Sequence, residues 1–331
     1  MIGHDAHEVE RKVISILKVL NESTQPLGAR IIARELKDYG VDLTERAVRY
    51  HLKIMDERGL TQPMDKDGRI ITKLGKEELK NALVTDKVGF VITRIELLAF
   101  STTFDVNTGK GQVVINISFF PKDNLQKAIK AMKEAFHAGL CVSQLVAIAN
   151  EEERLGGILV PKDMVGFATV CSITINGALL KAGVPMDSRF GGILQIRNSQ
   201  PLRFIELISY EGSTIDPSEI FIRGKMTAVA EAATTGNGKI LANFREIPAQ
   251  CRAMTEEVIT KLKQKGIGGV MMVGDTSEPV CEIPIGLNRI GIILLGGLNP
   301  VAASVEAGIE AENKAMAGVI DYSQLIDFWE L

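Results

Sequence analysis

The sequence predicts an α/β (α+β) protein: an N-terminal winged helix-turn-helix, then a pseudo-symmetric two-lobe mixed α/β domain. Three observations carry this. The first eighty residues read as three amphipathic helices followed by a β-prone pair around Asp67-Gly68. The rest of the chain repeats one pattern of glycines and prolines at an offset of about 125–127 residues. Its length of 331 residues is too great for one small core and suits two or three.

Composition narrows the function classes. With 46% hydrophobic and 24% charged residues the chain is an ordinary globular one. A net charge of −3 excludes a wholesale polyanion binder, so any nucleic-acid contact must come from a local basic patch. Cys141, Cys171, Cys251 and Cys281 form no Cys-x-x-Cys pair, so no metal site is assigned. No apolar run is long and charge-free enough to span a bilayer, and no signal peptide opens the chain. A cytoplasmic protein with free thiols is therefore expected.

Val9, Val13, Ile16, Leu17 and Leu20 recur at helical spacing and predict a first helix from Glu8 to Asn21, after a polar, frayed opening. Asn21, Ser23, Pro26 and Gly28 break it. Ile31, Ile32 and Leu36 predict a second helix from Ala29 to Asp38, stopped at Tyr39-Gly40 because glycine suits the position past a helix end. Thr44 is placed to cap a third helix, its hydroxyl accepting from free N–H groups, and Arg58-Gly59 ends it. Asp67-Gly68 then joins two β-prone runs, Leu60–Gln62 and Arg69–Thr72, as a hairpin.

The third helix separates into two faces. Val48, Leu52 and Met55 form an apolar stripe; Arg46, Arg49, Tyr50 and Lys53 fall together on the other side. Arginine forks match guanine edges and phosphates, and lysine supplies a point charge. Two short helices, a tight turn, a basic third helix and a hairpin describe a unit whose third helix reads the major groove. The candidate DNA contacts are Thr44, Arg46, Arg49, Tyr50 and Lys53, and the wing would touch phosphate through Lys66 and Arg69. His51, at the border of the apolar face, reads as a packed structural histidine.

The run Pro26-Leu27-Gly28-Ala29-Arg30, continued by Arg46-Ala47-Val48-Arg49-Tyr50-His51-Leu52-Lys53-Ile54-Met55-Asp56-Glu57-Arg58-Gly59-Leu60-Thr61, resembles the winged helix at the front of the NrpR family of archaeal nitrogen repressors. The expected boundaries are 1–80 for this DNA-binding domain and 88–331 for a second, effector and dimerisation domain.

The second domain contains two copies of one pattern, about 88–200 and 220–331. Thr108-Gly109-Lys110-Gly111 mirrors Thr235-Gly236-Asn237-Gly238, and Ala182-Gly183-Val184 mirrors Ala307-Gly308-Ile309. Each copy starts with a β run (Val113 to Phe119; Lys239 to Arg245). A helix follows, with Leu125, Ala128, Met132 and Phe136 inward in the first and Met254, Val258 and Leu262 in the second. Two strands and a helix come next, and a last strand closes each copy. The second strands are Leu145 to Ala149 and Gly269 to Val273. Two such lobes suggest a pseudo-twofold axis with a cleft where they meet.

The strand-to-helix turns of the copies are the candidate ligand site. One reads Thr169-Val170-Cys171-Ser172-Ile173-Thr174-Ile175-Asn176-Gly177; the other reads Gly296-Gly297-Leu298-Asn299-Pro300. Asn299-Pro300 has the form of an N-cap and first turn, with Asn176 in the matching place. Helix N-termini attract carboxylates and phosphates. The candidate set is Thr169, Cys171, Thr174, Asn176, Arg189, Asn299 and Ser304, with no catalytic or metal-binding set and no cofactor.

Over Asp163 to Pro185 (DMVGFATVCSITINGALLKAGVP) this domain too resembles the NrpR effector domain, and some relatives carry two where this chain carries one. The resemblance implies a repressor of nitrogen-assimilation genes. It would bind palindromic operators on double-stranded DNA as a homodimer and release them when the small dicarboxylate 2-oxoglutarate accumulates. Two other readings stay open: an α/β enzyme acting on a small anionic metabolite with a regulatory DNA-binding head, and an adaptor that assembles with a paralogous regulator. The enzyme reading lacks a Walker phosphate loop, a metal cluster or Gly-x-Ser-x-Gly.

Overall fold

A computed structural model describes residues 2–23, 25–64, 68–82 and 89–331. The chain divides into two compact units, residues 1–94 and 95–331.

In the first unit the apolar spacing builds α1 (Ile2–Glu22), α2 (Ala29–Glu35) and α3 (Glu45–Glu57), then β1 (Thr61–Met64), β2 (Gly68–Ile71) and α4 (Lys73–Asn81). The first helix begins six residues before the expected Glu8, at Ile2. The second helix ends at Glu35, and a 3-10 turn over Leu36–Tyr39 replaces its last residues. Gly40 follows at φ 67, a left-handed position that glycine occupies without strain. Thr44 caps α3 by accepting from the Ala47 N–H at 3.2 Å. Val13, Ile16, Leu17, Ile32, Leu36, Val48, Leu52 and Met55 meet in one core. The two wing strands pair antiparallel, Thr61 opposite Ile71. Residue 66, the expected wing lysine, lies outside the described residues.

α5 (Phe90–Ser101) leads into the second unit. There the first repeat supplies β3 (Gln112–Pro121), α6 (Leu125–His137), β4 (Leu145–Ala149), the short pair β5 (Arg154–Leu155) and β6 (Ile158–Leu159), β7 (Met164–Val170), α7 (Ile173–Lys181) and β8 (Asp187–Arg197). A connection holds β9 (Gln200–Ser209), α8 (Pro217–Arg223) and α9 (Val229–Thr235). The second repeat supplies β10 (Gly238–Pro248), α10 (Arg252–Gln264), β11 (Val270–Thr276), β12 (Arg289–Leu295), α11 (Asn299–Glu306) and β13 (Glu312–Asp321), with β14 (Ile326–Asp327) at the end.

These strands form two antiparallel five-stranded sheets, in the orders β13-β3-β7-β4-β14 and β11-β12-β10-β8-β9. The last strand of each repeat therefore does not close its own copy, as its order in sequence suggested. β8 pairs with β10, Ile193 opposite Leu241, and β13 pairs with β3, Val319 opposite Val114. The helices are exchanged in the same sense: α6 packs on α11, and α10 packs on α7. Neither repeat has a sheet or helix layer of its own: the buried side chains form two clusters, and each draws on both repeats. Met254 is a second correction, being largely exposed on α10, where Thr255, Val258, Ile259 and Leu262 face inward.

The strand-to-helix turns are fastened identically in both copies. Cys171 N–H donates to the Val114 carbonyl at 2.8 Å, as Gly296 N–H does to Leu241. The Thr174 hydroxyl accepts from Val114 N–H at 3.0 Å and donates to its carbonyl at 3.2 Å. Asn299 does the same for Leu241, accepting at 2.8 Å and donating at 3.0 Å. The partner of Asn299 is therefore Thr174 and not Asn176. Nor is Asn299 an N-cap: Leu298 holds that place, and the Asn299 carboxamide serves the neighbouring strand.

Candidate nucleic-acid interface and anion pocket

On α3 the core stripe is Val48, His51, Leu52 and Met55, which leaves Arg46, Arg49, Tyr50 and Lys53 in solvent; Tyr50 is 65% exposed. The Tyr50 ring meets the His51 ring edge-on at 5.6 Å and keeps its hydroxyl end in solvent. Arg46 and Lys53 make no ion pair among the described residues, so both are available to phosphate or base. Arg49 pairs with Glu45, which also receives the Arg30 Nε at 3.3 Å. Arg69 is engaged: its Nε donates to Asp56 at 2.9 Å, and the same carboxylate accepts from the Thr61 hydroxyl at 2.6 Å. Asp56 thereby ties both wing strands to α3, a role its position at the helix end did not announce.

His51 is buried, its Nδ1 has no partner, and burial, then the nearby Lys12 charge, hold its pKa below the ordinary value. Protonation therefore favours the unfolded chain. The contribution of neutral His51 is complete above the unfolded value of about 6.5 and is lost as pH falls below it. The melting-temperature advantage of the native chain over His51→Gln should shrink from about pH 8 to about pH 5. A difference independent of pH would show that His51 does not titrate on unfolding.

The second unit holds a pocket of about 320 Å³, mouth included, where the two repeats meet. Asn116 of β3 and Asn243 of β10, equivalent residues of the two copies, stand in its wall with Cys171, Ser172 and Ile173 from the turn before α7 and Gly297 and Leu298 from the turn before α11. Asn116 accepts from the Met316 N–H at 3.0 Å, where β13 bulges and Met316 takes φ 52. Asn243 donates to the Ser172 hydroxyl at 3.2 Å and accepts from Tyr210 at 2.5 Å. A Cβ on Gly297 would lie 2.5 Å from both Asn116 Nδ2 and the Val170 carbonyl oxygen, so only glycine allows this approach.

Arg245, also in the wall, is 1% exposed. Its guanidinium lies 4.8 Å from the Tyr210 ring centre and donates to the neighbouring Phe244 carbonyl at 3.3 Å; Nε has no partner among the described residues. Asp216 shares the pocket but caps α8 through the Ser218 N–H at 2.8 Å, and burial raises its pKa. Burial also pushes the Cys171 thiol and the Tyr210 phenol up to about 12. A thiol so placed stays protonated near neutral pH and is no nucleophile.

Of the ligand residues expected from sequence, only Cys171 lines this pocket. Thr169 stands behind it, within 3.4 Å of Asn116 Nδ2. Thr174 and Asn299 are spent on strand backbones. Asn176 donates to Ser188 at 3.0 Å, and Ser304 donates to the Val301 carbonyl at 2.7 Å. Arg189 lies on the surface, paired with Asp187. Arg245, Asn116, Asn243 and Tyr210 were missed, though one signal was present: asparagines at the same repeat position inside two otherwise apolar strands.

A winged helix joined to a two-repeat α/β unit has the architecture of a transcription regulator. The comparisons specify which kind. A profile of the NrpR regulatory domains 1 and 2 matches residues 88–327, and one of the ribonuclease R winged-helix domain matches residues 14–79. The chain is 43% identical to the global nitrogen regulator NrpRI of Methanosarcina mazei, spanning 96% of this chain and 98% of that one. It is 34% identical to the global nitrogen regulator NrpR of Methanococcus maripaludis over 94% of this chain, which spans 54% of that longer relative. A crystal structure of a nitrogen repressor-like protein from Methanococcus jannaschii covers 72% of this chain and 98% of its own, with TM-score 0.61 and 29% identity. The chain belongs to the NrpR family of nitrogen regulators, and it is a regulator rather than an enzyme. No described helix is long and apolar enough to cross a membrane.

Proposed function

We propose that this protein is a cytoplasmic, dimeric repressor that binds palindromic operators of nitrogen-assimilation genes and releases them when 2-oxoglutarate occupies residues 88–331. Residues 1–80 carry the DNA and the remainder carries effector and dimer contacts. The observation that supports the reading best is the Thr44-capped helix: its apolar stripe is buried, and Arg46, Arg49, Tyr50 and Lys53 remain outside. One winged helix contacts few bases; two recognition helices about 34 Å apart fit a palindrome. DNA and effector then oppose each other because each favours a different state of the protein, and the coupling is reciprocal.

Fluorescence anisotropy on a labelled promoter fragment tests this. Added 2-oxoglutarate should lower the anisotropy, and a competing operator should raise the apparent 2-oxoglutarate dissociation constant by the same factor. Unchanged DNA binding at millimolar 2-oxoglutarate would end the effector reading. Light scattering should give the mass of two chains; a monomer that dimerises only with a paralogue would favour the adaptor form.

A further inference from the structure

We propose that the outward face of α5 is a self-association surface, anchored by Phe100 and occupied by a second copy of this chain. The inference deepens the dimer reading and rests on it.

α5 is apolar on all sides: of its twelve residues only Arg94 and Glu96 are charged. A helix of that kind belongs in an interior. One side of its second half is indeed covered. Ile95, Leu98 and Ala99 are buried, and the backbone at Ala99 with the following Thr102 closes on Gly177 of α7, where a Cβ would lie 2.5 Å from the Thr102 side chain. The other side is open. Phe100 is 76% exposed, with Leu97 half-buried one turn earlier. Leu180 and Lys181, at the exposed end of α7, continue the same surface, for Lys181 Nζ donates to the Phe100 carbonyl at 3.3 Å.

The second repeat shows the same place as water leaves it. α9 stands before β10 as α5 stands before β3, and its outward residues are Ala230, Glu231, Thr234 and Thr235. Nothing there resembles Phe100. An exposed aromatic ring ringed by aliphatic groups is the usual anchor of a protein contact.

The charges select the occupant. Glu96 and Lys181 are exposed at the rim of the patch, and neither makes an ion pair among the described residues. A partner of one sign would set a like charge against one of them. A second copy related by a two-fold axis satisfies both, because each chain offers the acid and the base together. With the axis between Leu97 and Phe100 the two α5 helices run antiparallel. Phe100 of each chain then covers Leu97 of the other, and Lys181, level with Phe100, comes beside Glu96 of the partner subunit.

Sedimentation equilibrium on the full chain, beside Phe100→Ser, Glu96→Lys and Lys181→Glu, tests the assignment. Losing the aromatic anchor should weaken self-association roughly thirtyfold or more, and each charge reversal about tenfold. All three side chains face solvent, so native circular dichroism is expected of every variant. The decisive readout is the mixture. Glu96→Lys chains carry two bases at the rim and Lys181→Glu chains two acids, so each repels its own kind and complements the other. Native mass spectrometry of the mixed variants should show the heterodimer far above either homodimer. Self-association of all three variants at native strength, or a mixture with no preference for the heterodimer, would overturn the surface and leave the dimer reading standing. A native chain that stays monomeric would instead remove the dimer reading, and this assignment with it.

Discussion

Replacing Arg46 and Arg49 by alanine is expected to cost operator binding about 1–3 kcal/mol for each residue that reads a guanine, and the double variant should approach non-specific affinity. The two are not equivalent. Arg46 makes no ion pair among the described residues, whereas Arg49 is held by Glu45 and must exchange that carboxylate for DNA, so part of its gain is offset. Arg46→Ala should therefore be the more damaging single change. Glu45→Gln should tighten operator binding at low salt by releasing Arg49 and removing a negative charge that DNA repels. The fold should survive, since the buried stripe of α3 is untouched and all these side chains face solvent. Anisotropy titrations over a range of salt separate the roles. A phosphate contact lowers the salt slope by about 0.9 per charge removed, while a base contact relaxes discrimination between operator and scrambled duplex. A double variant that binds the operator as the native chain does would mean that another surface carries the DNA.

The winged helix was legible because each of its signals is local. The stripe Val48, Leu52, Met55 and the capping Thr44 sit within a dozen residues, and helical periodicity tells which side of α3 faces water. The order of strands and helices in the repeats was legible for the same reason. Strand partnership was not. β8 and β13 carry the same alternation whichever sheet they join, so nothing in their own residues says that they are exchanged. Arg245 was hidden similarly. Both faces of β10 are covered, with a run of buried residues, and an arginine within a strand ordinarily marks the face in water. The asparagines of the helix turns drew notice as caps, whereas one is a backbone partner of the facing strand. Local pattern gives the element; which groups an element must satisfy depends on neighbours more than fifty residues away.

Asn299 shows the consequence most directly, and its substitution carries the second large effect. Its carboxamide is fully buried and mimics a strand for Leu241, beyond the point where β12 stops pairing. Asn299→Ala leaves the Leu241 N–H without its partner, while the carbonyl keeps the Gly296 N–H. An orphaned buried donor costs about 1–3 kcal/mol, and the void left by the carboxamide adds to it, so about 2–4 kcal/mol is expected in urea unfolding. Thr174 solves the same problem in the first repeat with a hydroxyl that accepts and donates at once. Asn299→Thr should therefore recover part of the loss, and Thr174→Val, which keeps the volume but not the oxygen, should reproduce much of it. If the alanine variant kept full stability, the Asn299 bonds to Leu241 would contribute nothing to the fold, and its reading as a stand-in for a strand would fall.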